Sequence, residues 1–294
     1  PRSETEGKEQ HEDDAPQDHV RSPMDQLPHG RESNSDRELI FSPAMDIQAY
    51  LDRIGYRGPL IPTAETLRAL QVAHLQTVPF ENLSIHARQP IVLDDESLFD
   101  KVVARRHGGF CYELNGLFAA LLRELGFQVT KLSAGVARGD GTFGPDFDHM
   151  ALQVDLEERW LADVGFGDSF RDPLRLDERG EQPEPPRAFR IDEDGDHLLL
   201  LWRDGPGQPW QPQYRFTLQP HEYPDYADMC RFHQTSPDSH FTRNAICSLA
   251  TPDGRVSLSG MKLITTRGGK RQERVLESEE ERTALLREIF GVKV

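Results

Sequence analysis

One cysteine, Cys111, stands where a thiol can become a nucleophile. It follows the Gly-Gly-Phe run at residues 108–110, and a helical repeat of apolar residues restarts directly after it and continues to Leu125. The two glycines interrupt the preceding helix, so the sequence predicts Cys111 in the first turn of a new one. Free N–H groups and the positive dipole end at a helix start favour the thiolate over the thiol. Cys230 and Cys247 lie in no such pattern, and we interpret them as packing residues.

A base, and an acid that could orient it, follow Cys111 in the chain. His149 precedes a predicted strand over Met150–Leu156, and Asp163 lies in the apolar run Trp160–Val164. When two such strands form a hairpin, these side chains lie side by side, as a His–Asp hydrogen bond requires. An acid in an apolar run is seldom buried without a partner. Cysteine, histidine and aspartate in this order predict nucleophilic catalysis by a triad.

The elements that must position these residues change in character after residue 127. Before it, apolar residues recur at helical spacing; after it, short alternating or apolar runs separated by Gly, Pro and Asp favour an antiparallel sheet or barrel. The predicted helices are Asp46–Ile54, a helix opening at Thr63, one through Leu98 and Val103, Cys111–Leu125 closed by Gly126, and Ser278–Phe290 with Ser278 as N-cap. The remaining predicted strands are Gln128–Val136, His197–Trp202, Tyr214–Leu218, Ala245–Leu249, Val256–Leu258 and Lys262–Thr266, and residues 180–186 are predicted to form an exposed loop.

The composition excludes several classes of protein. The 294 residues suffice for about two domains, and a net charge of −16 argues against binding nucleic acid or anionic lipid. Three scattered cysteines are not the framework of a disulfide-stapled secreted domain. The sequence shows neither a signal peptide nor an apolar run of roughly 20 residues that could cross a bilayer. We therefore predict a cytoplasmic protein whose first 40 residues, which lack aromatic side chains, are disordered.

Several separated motifs, in the right order, match one family. They are the runs at residues 50–56, 78–83, 108–115, 148–149, 163–167 and 236–241. On these motifs the chain resembles the arylamine N-acetyltransferases, also called N-hydroxyarylamine O-acetyltransferases, from Asp46 to Phe290. One position departs from the family pattern: His107 stands where an arginine is expected before the two glycines. We expect this difference to affect local packing more than chemistry.

The resemblance implies an α+β fold in three parts around a papain-like Cys-His-Asp core. The parts are an N-terminal helical bundle (residues 41–127), a central antiparallel β-barrel (128–230) and a C-terminal α/β lid (231–294). It also implies a catalytic triad of Cys111, His149 and Asp163, and a ping-pong reaction. Acetyl-coenzyme A is the implied co-substrate and an aromatic amine, hydroxylamine or hydrazine the acceptor. No metal site is predicted, because the scattered histidines lack partners at ligand spacing.

Further residues are predicted to contact the two substrates. Phe110, Phe143 and Phe166 could wall a flat apolar pocket for the amine. The co-substrate is polyanionic while the protein is acidic, so its attraction must be local. Gly167, Lys262 and Lys270 are the candidates for it, the two lysines in a basic stretch that includes Gly268 and Gly269.

Three other functions remain open at the level of the residues. A transglutaminase-like thiol hydrolase uses the same order of cysteine, histidine and aspartate. An amide synthase that closes a macrocycle is a relative by resemblance. A binding protein without activity is disfavoured, because the set Cys111, His149 and Asp163 is intact.

Overall fold

The helices occupy mainly the first third of the structure, which is a computed structural model describing residues 45–293. The predicted disordered tail, residues 1–40, lies outside that range. The helices are α1 (Ile47–Ile54), α2 (Ala64–Thr77), α3 (Leu83–His86), α4 (Asp95–Phe99) with a π-helical turn (Asp100–Ala104), α5 (Cys111–Glu124), α6 (Tyr223–Thr235), α7 (His240–Arg243) and α8 (Glu279–Glu288). None of those between residues 45 and 293 combines the length and the apolar character that crossing a membrane requires.

The N-terminal helices surround α5. Caps fix where they begin: the side chain of Asp46 accepts the Ala49 N–H at the start of α1, and Thr63 caps α2 in the same way. Helix α5 is buried without interruption from Cys111 to Leu122, because α1, α2 and α4 pack on some of its sides and the first sheet packs on another. Helix α5 is therefore the central helix around which the N-terminal helices pack.

The first sheet has eight antiparallel strands and is nearly closed into a barrel. Its strands are β2 (Gln128–Val136), β3 (His149–Asp155), β4 (Arg159–Ala162), β5 (Leu174–Arg175), β6 (Gln182–Glu184), β7 (Arg187–Asp194), β8 (His197–Arg203) and β9 (Gln211–His221). Their spatial order is β5-β4-β3-β2-β9-β8-β7-β6. The two edge strands are joined by one side chain, since the Gln182 amide accepts the Arg175 N–H at 2.8 Å and donates to the Arg175 carbonyl at 3.0 Å.

The second sheet joins the segment after α2 to the C-terminal part of the described chain. It contains β1 (Phe80–Glu81), β10 (Ile246–Thr251), β11 (Gly254–Ser259), β12 (Lys262–Arg267) and β13 (Lys270–Val275), in that spatial order. Strand β1 pairs with β10, and the Asn82 side chain donates to the carbonyls of Phe241 and Asn244 and accepts the Ile246 N–H. The helical part is thereby fastened to the C-terminal sheet.

The predicted α+β class is confirmed, as are α1, α2, α5 and β2, and Gly126 has the left-handed conformation expected after α5 (φ 89°). Eight elements were not predicted: the longer β7, α6 and β13, and the short β1, α3, β5, β6 and α7. Residues 180–186, predicted as a loop, include the short edge strand β6. The predicted boundary between residues 230 and 231 falls inside α6, so the barrel and the C-terminal part share a helix.

Candidate active site

The approach to Cys111 permits no side chain at either preceding glycine. A Cβ at Gly108 would lie 2.0 Å from the Pro79 carbonyl oxygen, and one at Gly109 would lie 2.7 Å from the Glu113 Cβ. The backbone at residues 108 and 109 therefore passes very close to the segment that leads into β1, directly before α5 begins. Cys111 is the first residue of α5 and is almost fully buried, as the sequence predicted for the helix start.

The second pair of candidate residues lies on the hairpin β3–β4. Leu152 is opposite Ala162 in this hairpin, so His149 at the start of β3 lies beside Asp163 just after β4. His149 Nε2 is 2.8 Å from Asp163 Oδ2, and both side chains are buried. The hydrogen bond predicted from the strand pattern is present. Because Asp163 engages Nε2, Nδ1 is the ring nitrogen left to serve a reacting group.

Three further groups bind the Asp163 carboxylate. Oδ1 accepts the Asn115 side-chain amide and the Gly165 N–H, each at 2.9 Å, and Oδ2 accepts the Tyr214 hydroxyl at 3.2 Å. In addition, Gln71 of α2 accepts the Asp163 N–H at 3.1 Å. A carboxylate with this many donors is held in one orientation. Asp163 can therefore fix the His149 ring.

Asn115, Gln71 and Tyr214 were not predicted as partners of Asp163. Asn115 carried a readable signal, because it lies four residues after Cys111 and so on the same face of α5. Gln71 and Tyr214 carried none. They lie 92 and 51 residues from Asp163 in the chain, and only the folded structure brings them to it.

Cys111 meets the hairpin through Asn115 and Gly165. The Asn115 side chain donates to the Met150 carbonyl at 2.5 Å and accepts the Val164 N–H at 2.8 Å, so it joins α5 to both strands. A Cβ at Gly165 would lie 2.8 Å from the Cys111 Cα. The first turn of α5 is thus packed directly against the segment that carries Asp163.

Burial raises the pKa of the Cys111 thiol well above its ordinary value. A hydrogen bond with the Met150 backbone lowers this pKa, while the charges of Asp148 and Asp163 raise it. The sequence predicted a thiol kept ionised by the helix start. Desolvation and the charges of the two neighbouring carboxylates oppose that ionisation, and both depend on packing that the sequence pattern does not show.

A second histidine lies next to this centre. His233 of α6 is buried, with Nδ1 3.2 Å from the Ser239 hydroxyl and Nε2 3.3 Å from Asp148 Oδ1. Its Nε2 is not directed along a hydrogen bond to that carboxylate. The His233 ring also packs edge-on against Phe241, with ring centroids 5.1 Å apart. Asp148, which directly precedes β3, therefore lies between that strand and the C-terminal part of the chain.

The three predicted pocket aromatics lie in different surroundings. The Phe166 ring is half-buried and packs edge-on against the His149 ring, with centroids 5.2 Å apart. Phe110 is fully buried against Tyr112, so in this conformation it offers no surface to a ligand. Phe143 lies beside Arg215, whose guanidinium carbon is 5.1 Å from the centroid of the Phe143 ring. Of the three, Phe166 is the one in contact with a candidate catalytic side chain.

The residues predicted for coenzyme A are not gathered in one place. Gly167 follows Asp163 closely and has φ 95°, and a Cβ there would lie 3.3 Å from the Phe80 ring. Lys262 and Lys270 are exposed at opposite ends of the hairpin β12–β13. Residues 262 and 267, which begin and end β12, are separated by roughly 16 Å at the rise of an extended strand. A single phosphate could not bind both lysines.

A cleft of about 970 Å³ lies between the barrel edge and the C-terminal sheet. Gly268, Gly269 and Arg271 line it, but Lys262 and Lys270 do not. Two arginines in its wall, Arg187 and Arg255, share the Asp168 carboxylate at 2.8 and 3.4 Å. The lining holds four arginines and five carboxylates in all, so the cleft is not strongly cationic.

Comparison with known proteins gives one consistent result. A family profile described as N-acetyltransferase matches residues 63–294. An arylamine N-acetyltransferase of Mycolicibacterium smegmatis is 38% identical over 234 residues, which cover 77% of this chain and 84% of the relative. Arylamine N-acetyltransferase 1 of Homo sapiens is 34% identical over 278 residues, which cover 85% of this chain and 95% of the relative.

A solved structure agrees in fold. Mycobacterium marinum arylamine N-acetyltransferase in complex with CoA superposes with a TM-score of 0.78 at 34% identity, covering 84% of this chain and 93% of that one. The profile match spans Cys111, His149 and Asp163 together with Asn115 and Tyr214. The similarity therefore extends over the residues that build the site.

Proposed function

The chain belongs to the arylamine N-acetyltransferase family and is an acyltransferase, and on that premise we propose that it works through an acetyl group carried on Cys111. The donor is acetyl-coenzyme A, and the acceptor is an arylamine, arylhydroxylamine or arylhydrazine. The observation that carries this proposal is the buried His149–Asp163 hydrogen bond beside the first turn of α5. The CoA bound in the Mycobacterium marinum relative supports the choice of donor.

In the first half-reaction, the thiol of Cys111 attacks the carbonyl carbon of the acetyl thioester. Because burial raises the pKa of the thiol, its proton passes to His149 Nδ1 as the S–C bond forms. Asp163 stabilises the resulting imidazolium through Nε2. The tetrahedral oxyanion needs fixed donors, and the backbone N–H of Cys111 is the candidate at the helix start. Coenzyme A then leaves as the thiol, taking the proton back from His149.

In the second half-reaction, the amine nitrogen attacks the acetyl-cysteine. An aromatic amine is neutral at pH 7, so it arrives with its lone pair free. His149 takes one proton from the attacking nitrogen and returns it to the Cys111 sulfur as the C–S bond breaks. General base catalysis of this kind contributes typically ~10²–10⁴-fold. The two half-reactions together form a ping-pong cycle.

The substrate contacts are proposed in the same way. The edge contact of Phe166 with His149 supports a role for Phe166 as one wall of the amine pocket. Gly167, next to Phe166 in the chain, would leave room for the pantetheine arm. Lys262 and Lys270 would act only as separate, solvated charges toward the phosphates.

The organisation and location of the enzyme are further proposals. We assign residues 41–127 to the helical bundle, 128–230 to the barrel and 231–294 to the lid, with α6 shared across the last boundary. All three cysteines are free and buried, which suits a reducing compartment and supports a cytoplasmic enzyme.

Release of free coenzyme A, measured with a thiol reagent, tests the proposed function. We expect sustained release from acetyl-coenzyme A only when an aniline-type amine is added. Amide hydrolysis without coenzyme A would instead identify a thiol hydrolase, and macrocycle formation from a linear thioester would identify an amide synthase. Silence in all three assays would leave a binding protein.

A further inference from the structure

A buried lysine lies close to the start of α5. Lys101 is in the π-helical turn after α4, and its side chain is only one-tenth exposed. Its Nζ is 2.7 Å from Glu113 Oε1 and 3.9 Å from Glu81 Oε1. Both glutamates are buried, and Glu81 Oε1 has no hydrogen-bond partner. A buried charge is costly unless it is paired, and π-helical turns occur frequently at functional sites.

The two glutamates hold the segment that leads to Cys111. Glu113 Oε2 accepts the Phe110 N–H at 3.1 Å, which closes the first turn of α5. The Glu81 N–H donates to the Gly109 carbonyl at 2.8 Å, and Glu81 Oε2 accepts the Leu83 N–H at 2.6 Å. Residues 109 and 110 are therefore attached to one glutamate each. A change in the charge of Glu113 therefore acts on Phe110, the residue immediately before the nucleophile.

The pair depends on Lys101 for charge balance. Burial raises the pKa of Glu113, Lys101 lowers it, and the charge of Glu81 raises it further. Without the ammonium, two buried carboxylates would face each other, and the pKa of Glu113 would rise further. The other charged or titratable side chains that act on this cluster are Arg105, His107, Cys230 and Cys247.

We propose that Lys101 is a positioning residue of the acetyl-transfer site, holding Glu113 as the carboxylate that caps Phe110 and so fixing the Cys111 thiol against the β3–β4 hairpin. This inference rests on the proposed function for its reaction. The Lys101 main chain contributes as well, since its carbonyl accepts the His107 N–H at 3.0 Å. His107, where the family pattern has arginine, is thus tied to the same turn.

The test compares three variants by single-turnover acetylation. Lys101→Met removes the charge, Lys101→Arg keeps it, and Lys101→Met/Glu113→Gln removes both partners while leaving an amide oxygen for the Phe110 N–H. The burst of coenzyme A release gives the rate constant, normalised to the burst amplitude. A parallel rate of alkylation of Cys111 by iodoacetamide reports the thiol without acetyl-coenzyme A. Lys131→Met is the matched control, because Lys131 is a buried lysine whose carboxylate partner, Glu222, is exposed.

We expect Lys101→Met to lower both rate constants 10- to 100-fold. Lys101→Arg and Lys131→Met should stay within threefold of the parent. The Lys101→Met rate should also rise with pH through an ionisation that the double variant lacks, because in the single variant Glu113 itself titrates. If Lys101 only stabilised the fold, Lys101→Met would change the free energy of unfolding but would add no such ionisation to the pH profile.

Two results would overturn the inference. One is parental rates with an unchanged pH profile in Lys101→Met. The other is an equal loss in Lys101→Met and Lys101→Arg. If Lys101→Met does not fold, Lys101→Gln/Glu113→Gln replaces it: near-parental rates support charge balance as the role, and slow rates contradict it. A parent protein that shows no burst would contradict the proposed function, whereas the alkylation rates would still test Lys101.

Discussion

Asp163 and the hairpin β12–β13 show two ways in which one chain carries charge. Asp163 is 1% exposed and accepts hydrogen bonds from the Asn115 and Tyr214 side chains and the Gly165 N–H, besides its contact with His149. Lys262 and Lys270 project from the hairpin into solvent. A buried charge must be oriented by partners, while an exposed one keeps many conformations. The proposed chemistry therefore depends on a buried, oriented charge, whereas we expect the co-substrate charge to be met by weaker, separate contacts.

The largest effect should follow from removing the charge of Asp163. Asp163→Asn keeps the size of the side chain but presents an amide to His149, which disfavours the useful tautomer and leaves the imidazolium unsupported. We expect kcat/KM to fall about 10³-fold with the protein still folded. Tyr214→Phe, which removes only one donor to the same oxygen, should cost tenfold or less. Equal losses in the two variants would show that the carboxylate is not the central group.

A stability prediction concerns His74, a buried group without partners. Both ring nitrogens of His74 lack hydrogen bonds, and burial lowers its pKa to about 3. The unfolded chain binds a proton near pH 6.5, so the unfolded state binds more protons between pH 6.5 and 3. Stability is therefore present above pH 6.5 and is lost as the pH falls through this window, by up to about 5 kcal/mol.

His74→Leu should remove that part of the acid sensitivity. Urea unfolding at pH 7 and pH 4.5 measures it, with His86→Leu as the control at an exposed histidine. We expect the difference in unfolding free energy between the two pH values to shrink for His74→Leu alone. An unchanged difference would mean that the buried His74 imidazole has hydrogen-bond partners in solution.

A smaller effect is expected at Asp148, whose charge raises the pKa of Cys111. Asp148→Asn should therefore increase the thiolate fraction and speed alkylation of Cys111 at pH 7 by about 3- to 10-fold. Asp146→Asn is the matched control, because Asp146 lies two residues away and is exposed. Slower alkylation in Asp148→Asn would show that the carboxylate holds the site together more than it repels the thiolate.

The smallest effect should come from the exposed hairpin. Lys262→Ala and Lys270→Ala should each raise the KM for acetyl-coenzyme A less than threefold, because a solvated charge contributes little and salt screens it. The effect should vanish at 0.5 M salt. A tenfold rise in either variant would place the phosphates on the hairpin. It would contradict the view that these exposed charges, unlike the buried Asp163, contribute little.

The sequence predicted the parts of the site that are local in the chain. The helix start at Cys111 and the hairpin of His149 and Asp163 each lie within a few tens of residues and carry clear periodicity. Strand β13 was not predicted, because its six residues are all exposed and show no alternation of apolar side chains. Helix α6 is mostly polar, so its repeat was equally weak.

Long-range partners and solvation could not be predicted from the residues. Tyr214 reaches Asp163 from another strand of the barrel, and no local pattern marks it. Phe110 was predicted as a pocket wall beside the nucleophile, but it is buried against Tyr112. The raised pKa of Cys111 depends on how closely the hairpin and α6 cover the thiol. These properties arise from packing between distant segments.

The most direct test of the central claim is mass spectrometry of the protein mixed with acetyl-coenzyme A in the absence of any acceptor. The account predicts a gain of ~42 Da, one acetyl group, on the peptide that contains Cys111, as a covalent intermediate requires. The gain should be absent in Cys111→Ala and should disappear when an aromatic amine is added. No gain, or the same gain on the peptides of Cys230 or Cys247, would contradict it.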